Sequence, residues 1–455
     1  MSTFDPPPGA RPLGPLLAAM RRGHGWSQQR LADLLCDASG APTVTRHEIS
    51  RWERQERVPG GFWLGWLATV LGTDPSALTR AAAVVRRALP ADAARPAVPG
   101  AAAETAALRR AAHAWLADPS GDADARAAPA LSRRLARLAA TLSPATAPPV
   151  GRAGPVPAPL PGLRRLDDLV GGADLAATLV HRLGPPPAAP GRAAAPAAAA
   201  PAVLTAIAER AQLIGWVAAD AGRWRTAVAA HRVAVQAAHA AGARALAGYA
   251  LSSASHLITE AGDPATGLLL AHTARAGATR ASTATGRALL LHRTALACAV
   301  AGSERAAQSA LDAARRAAEA SDPVRDPAWL YWLTGDELDG MTGRCLAALG
   351  RPMRAAEPLR HAVLAAPGPR TAALHGTWLA RAYADGGDVE RACAAGSVAL
   401  HDAIRAGSVR AATQVRRLQS RLAVHAAHPA ARQHREEFEA DQSYLADVRS
   451  GLAVA

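Results

Sequence analysis

The side chains best placed to do chemistry in this sequence are hydrogen-bond donors gathered on one short stretch, Arg46-His47-Glu48-Ile49-Ser50-Arg51-Trp52-Glu53-Arg54. Thr45 can cap a helix at its start, and Ile49 and Trp52, three residues apart, then turn inward together. That spacing leaves Arg46, His47 and Arg51 to the solvent side. A guanidinium carries a rigid fork of donors suited to phosphate and other acceptors, so such a face recognises anions and does not make or break bonds. Glu48 is acidic within it, and either accepts a hydrogen bond from a partner or points away.

Patterns for catalysis are missing. The sequence has no GxSxG, no P-loop, no GxGxxG after a strand and no paired carboxylates. Its histidines show no HExxH or other metal spacing, and Cys36, Cys298, Cys345 and Cys393 lie too far apart for a zinc knuckle or a CxxC pair. The expectation is therefore no enzyme, no cofactor and no metal, with the cysteines as buried thiols in a reducing compartment.

The elements that must position the Arg46–Arg54 stretch are short helices. Leu13–Arg22 presents Leu16, Leu17 and Met20 on one face and stops at Gly23 and Gly25. Ser27 is a good N-cap for a helix over Gln28–Leu35, and a long turn, Cys36–Thr43, leads to Thr45. A fourth, densely apolar helix runs from Phe62 to Leu71, and Asp74-Pro75 opens a fifth with an N-cap and Pro at the first helical position. Trp26, Trp52, Trp63 and Trp66 fall at helical spacing and are read as core or core-edge residues.

Composition bounds the rest. A chain of 455 residues, half of them apolar, can bury more than one core. It contains no Lys and no Asn, so all 51 basic residues are Arg, a bias typical of GC-rich coding. The net charge of +14 suits a polyanionic partner, but residues 1–90 hold 11 Arg against 7 acidic residues, a net of +4, so +10 lies elsewhere. Neither a secretory signal pattern nor a long uncharged apolar stretch is evident, which places the protein in the cytoplasm, with the nucleoid.

No sustained period-two alternation appears, so the fold reads as all-α. Residues 1–11 read as a disordered N-terminus and 12–89 as the first domain. Residues 90–162 read as an Ala/Pro-rich linker with short helices at Glu104–Leu116 and Leu131–Leu142, and 163–202 as a helix and flexible loop leading into an array at 203–449.

Trp26-Ser27-Gln28-Gln29-Arg30-Leu31-Ala32 followed by Val44-Thr45-Arg46-His47-Glu48-Ile49-Ser50-Arg51-Trp52-Glu53 resembles the phage-repressor, Cro and XRE-type helix-turn-helix. The resemblance implies a five-helix lambda-repressor-like domain with its third helix in the major groove of double-stranded DNA, where Arg can donate a bidentate pair to guanine. It implies base contacts from Arg46, His47 and Arg51, and phosphate contacts from Gln28, Ser27, Arg54 and Arg57. It also implies a partly buried ion pair between Arg21 and Glu53. The turn Cys36–Thr43 is longer than is usual in that family.

In the C-terminal half, Gly222, Gly262, Gly302, Gly350 and Gly387 are separated by 40, 40, 48 and 37 residues. Five positions after each stand Ala227, Gly267, Ala307, Ala355 and Ala392, and twelve after stand Ala234, Ala274, Ala314, Ala362 and Ala399. Seven before stand Gly215, Ser255, Ala295, Gly343 and Ala380. Small residues at fixed offsets let paired helices touch backbone to backbone. The offsets resemble tetratricopeptide repeats, with a period longer than the usual ~34 residues, in about five or six units. Such a solenoid offers a groove for a peptide, a small molecule or a protein partner, with Tyr249, His256, His292 and Trp332 on its first helices. Trp329-Leu330-Tyr331-Trp332 is the densest aromatic cluster, read first as packing between units.

Together these parts resemble actinobacterial transcriptional regulators and, more remotely, the peptide-sensing regulators of Gram-positive bacteria. The expectation is a homodimer that binds an operator while the array senses a ligand or supplies the dimer contact. The rival expectation is an interaction scaffold whose N-terminal helices no longer read DNA.

Overall fold

The computed structural model describes residues 13–39, 44–55, 59, 61–74, 77–78, 81–82, 100–118, 125–142, 159–183 and 200–446. These residues form α-helices and short 3-10 turns, with no strand among them. The chain divides into two compact units, Met1–Pro96 and Ala97–Ala455.

The first unit contains α1 (Leu13–Gly23), α2 (Gln28–Ser39), α3 (Arg46–Glu53) and α4 (Gly61–Val70). Each lays one apolar stripe into a shared core: Leu13 and Leu17 from α1, Leu31, Ala32 and Leu35 from α2, Ile49 and Trp52 from α3, Leu64, Leu67 and Ala68 from α4. Trp26, Trp63 and Trp66 are half-buried at its margin. Gly14 lets α1 meet the end of α3, since a β-carbon there would lie 2.3 Å from the Glu53 carbonyl oxygen. The fifth helix expected after Pro75 is described only at residues 77–78 and 81–82, which are helical, with Leu78, Ala81 and Ala82 buried.

One boundary differs from the sequence reading. α2 continues through Cys36, Asp37 and Ala38 to Ser39, so half of the expected long turn is helix. Nothing in that stretch breaks a helix before Gly40, and the Cys36 thiol bonds the Val44 carbonyl at 3.3 Å.

The second unit is a repeat-like array of five packed helix pairs followed by two further helices that both lie against the last pair. They are α9 (Ala200–Asp220) with α10 (Trp224–Ala240), α11 (Arg244–Ala261) with α12 (Pro264–Ala278), and α13 (Ala284–Val300) with α14 (Glu304–Glu319). Then follow α15 (Gly335–Ala348) with α16 (Pro352–Leu364) and α17 (Pro369–Asp385) with α18 (Val389–Ala406), after which α19 (Val409–Leu422) and α20 (Pro429–Asp441) each pack on α18. The five anchor glycines end first helices at φ between +69° and +110°, a conformation that costs a side-chain-bearing residue ~1–2 kcal/mol. All fifteen small residues at the three offsets are buried. α9 matches a membrane span by length and composition, but most of it is buried against its neighbours, as in a core helix.

The short helices expected within the linker belong to this unit. Ala102–Ala117 (α5) packs on α10 and α12, and Ala128–Ala140 (α6) packs on α9 and α10. Leu108, Ala112, Trp115, Leu131 and Leu135 join the array's main core, so burial of these stripes overrides the Ala-rich composition around them. Trp115, 1 % exposed, rests on Gly277, where a β-carbon would lie 2.3 Å from the indole. The expected helix Leu163–Leu183 is two helices, Leu160–Leu169 (α7) and Gly172–Leu183 (α8), parted at Gly171, which abuts the Ala406 carbonyl. The Ala/Pro tracts themselves and residues 1–11 lie outside the described residues.

Candidate functional site

Thr45, with extended backbone, accepts the Glu48 amide on its side chain and so starts α3. Because Ile49 and Trp52 are buried at 1 % and 3 % exposure, the 3.6-residue period turns Arg46, His47 and Arg51 outward, and all three are exposed. Arg51 is paired with Glu48 at 3.3 Å. A surface pair of this kind is worth ~0–1 kcal/mol, so a stronger anion can displace it.

Glu53 joins three helices. Arg21 donates to both of its oxygens, Nε at 2.6 Å and Nη2 at 3.0 Å, and the Gln28 amide donates at 2.8 Å. Arg21 also donates to the Trp26 carbonyl at 2.6 Å, fixing the turn between α1 and α2. Burial alone would raise the Glu53 pKa, but the bonds from Arg21 and Gln28 outweigh it and hold the carboxyl below its ordinary value. Of the residues expected on phosphates, Ser27 caps α2 by accepting the Arg30 amide at 3.0 Å and Arg54 is exposed. Gln28 is half-buried with its amide on Glu53, and Arg57 lies outside the described residues.

The four residues expected along the array groove are placed differently. Tyr249, His256 and His292 are buried, at 7 %, 2 % and 3 % exposure, so none of them faces an open surface. Trp332 is half-buried and lies in the turn before α15, not on a first helix. Within the aromatic cluster, Trp329 stacks on Tyr249 at 4.4 Å and the Tyr331 hydroxyl donates to Asp168 at 2.6 Å.

Around these side chains lies a group of buried charges that the sequence reading missed. Glu260 accepts from Arg410 at 2.7 Å and lies 3.2 Å from His256 and 3.9 Å from Arg344. Glu337 accepts from Arg344 at 3.0 Å and sits 3.0 Å from His375 Nε2. Burial pushes Glu337 up, yet His375, Arg344 and Arg293 bring it down to about 2. Burial, then Arg293 and Arg344, lower His292 to about 3, and His256 is driven well below 6.5 by burial and the same arginines with Arg410. A weak signal was present: Arg293 and Arg344 each sit in a run of small and apolar residues, Thr294-Ala295-Leu296-Ala297 after the first and Cys345-Leu346-Ala347-Ala348 after the second.

A second group ties distant parts of the unit together. Arg370 donates to both oxygens of Asp167, at 2.8 and 2.9 Å, and lies 3.6 Å from Asp220. Asp220 accepts from Ser408 at 2.6 Å and from the Gly172 amide at 2.6 Å.

No protein-family model, no curated protein and no solved structure matches this chain. Its described residues show an all-helical architecture with paired, packed helices, an exposed donor face on α3 and buried arginines in the array.

Proposed function

We propose that this protein is a sequence-specific DNA-binding transcriptional regulator of the XRE helix-turn-helix type, with a tetratricopeptide-like array that senses a ligand or partner or supplies a homodimer contact. In this reading α3 enters the major groove of double-stranded DNA in the cytoplasm, Arg46, His47 and Arg51 touch base edges, and Ser27, Gln28, Arg54 and Arg57 hold the backbone. The observation that carries it is the exposure of Arg46, His47 and Arg51 on the side of α3 opposite buried Ile49 and Trp52. The Arg21–Glu53–Gln28 bonds support it, because they fix α3 against α1 and α2 as a rigid reading head requires.

A second reading has its own support. Glu48 occupies Arg51 and Glu53 occupies the Gln28 amide, so two donors meant for DNA already have partners. On that reading the protein is an interaction scaffold. Fluorescence anisotropy on fragments of its own genome, repeated from about 50 to 200 mM salt, separates the two. A regulator neutralising several phosphates loses affinity steeply over that range, whereas a scaffold shows no binding at either end.

A further inference from the structure

We propose that Arg293, Arg344 and Arg410 form an enclosed binding site for a small oxyanion, the phosphate or carboxylate group of a diffusible ligand. The three guanidinium groups are buried, at 4 % exposure each, and come from α13, α15 and α19. Among the described residues only Glu260 and Glu337 pair with them directly, three cationic groups against two anionic ones. Asp167 and Asp220 are turned to Arg370, and Glu209 to Arg164.

Arg293 is the centre of the imbalance. Among the described residues no carboxylate lies within ion-pair distance of it, and its buried Nε and Nη1 have no acceptor. Arg344 Nε and Arg410 Nη1 are buried and unpartnered as well, as is Nδ1 of His256, His292 and His375. Buried donors of this strength are nearly always satisfied, and an unpaired buried cation is strongly disfavoured, so this group is built for an acceptor that the polypeptide does not supply. An oxyanion is the acceptor such donors suit, because guanidinium forks pair bidentately with carboxylate and phosphate oxygens. The Arg293 guanidinium lies over the ring of half-buried Trp332, 5.9 Å from its centroid, and Tyr249, stacked on Trp329, lies near both.

The inference gives a ligand class to the sensing role proposed above, on which its regulatory meaning rests. The site itself does not depend on DNA binding. The test is thermal denaturation of the full chain in increasing inorganic phosphate, against sodium chloride of matched ionic strength, with acetate as a carboxylate probe. Phosphate or acetate is expected to raise Tm by several degrees and to saturate. Arg293→Met should abolish that rise while folding at least as well as the parent, since it removes a buried charge, and Arg316→Met on the outer surface should keep it. A rise that does not saturate, or that is equal in Arg293→Met, overturns the site. If Arg293→Met does not fold, crystals of the parent grown with selenate decide: anomalous density within hydrogen-bond reach of Arg293 supports the site, and its absence overturns it. DNA affinity measured in parallel keeps the two proposals apart, because phosphate response without DNA binding removes only the regulator reading.

Discussion

The Ser255 hydroxyl donates to the Gly267 carbonyl at 2.7 Å, joining the middle of α11 to the start of α12. The same pair of positions recurs along the array. A β-carbon on Gly215 would lie 3.1 Å from the Ala227 carbonyl oxygen, and one on Gly343 3.2 Å from that of Ala355. These three pairs of helices thus cross where one backbone meets the other, and only a small residue leaves room.

Enlarging one of these positions should therefore be costly. In Gly215→Val the new side chain starts 2.4 Å from Nδ1 of buried His231. The expected loss is about 1–3 kcal/mol, the usual result of overfilling a packed core. Thermal unfolding followed by circular dichroism should show Tm lower by a few degrees, and an unchanged Tm would contradict the close crossing.

Trp115→Ala tests whether α5 is part of the array. The indole is buried against Gly277, and its removal should destabilise the second unit by about 3–5 kcal/mol. A denaturant midpoint equal to that of the parent would return α5 to the status of a tether segment.

The buried imidazoles set a pH dependence. Burial lowers His231 to about 4, and burial with neighbouring arginines lowers His292 to about 3 and His256 well below 6.5. The unfolded chain protonates these rings near 6.5 while the folded chain keeps them neutral, so the unfolded state gains protons first. Stability is therefore complete above 6.5 and falls with pH down to about 4 for His231 and about 3 for His292, at about 1.4 kcal/mol per pH unit for each ring. Glu337 acts lower: its contribution is whole above about 4.5 and is lost as pH falls through about 2. Calorimetry should show Tm declining from pH 6.5 downward, with a shallower decline in His231→Gln. A Tm constant from pH 7 to 4 would exclude neutral buried imidazoles.

On the proposed DNA-binding reading of α3, Arg51→Ala should relax base preference at one position of the bound site, a change of about 1–3 kcal/mol in discrimination. Binding selection from a randomised DNA pool measures it. An unaltered preference would take Arg51 off the base-contacting face.

Much of the architecture could be read in the residues because close packing demands particular sizes at particular intervals. Ile49 and Trp52 marked the inner side of α3, and the fifteen small residues marked the helix crossings. Contacts made over long distances left no such trace. Arg370 and Asp167 are 203 residues apart, and Arg410 and Glu260 are 150 apart, so no local spacing announces them. A charged residue is by default solvated, which is why Arg293, Arg344 and Arg410 passed unnoticed. Tyr249, His256 and His292 were assigned to an open groove because a repeat pattern names a helix face but not what covers it.

The Arg370–Asp167 and Ser408–Asp220 bonds carry a consequence for how this molecule can change over time. They tie α7 and the end of α9 to the starts of α17 and α19, across separations of 203 and 188 residues. An open stack can lengthen or shorten by whole repeats and fray from its tips, since each repeat touches only its neighbours. Here the helix pairs between α9 and α17 are closed by the clasp: adding or deleting one of them would pull the buckle apart, so their number is locked and they should melt in a single step.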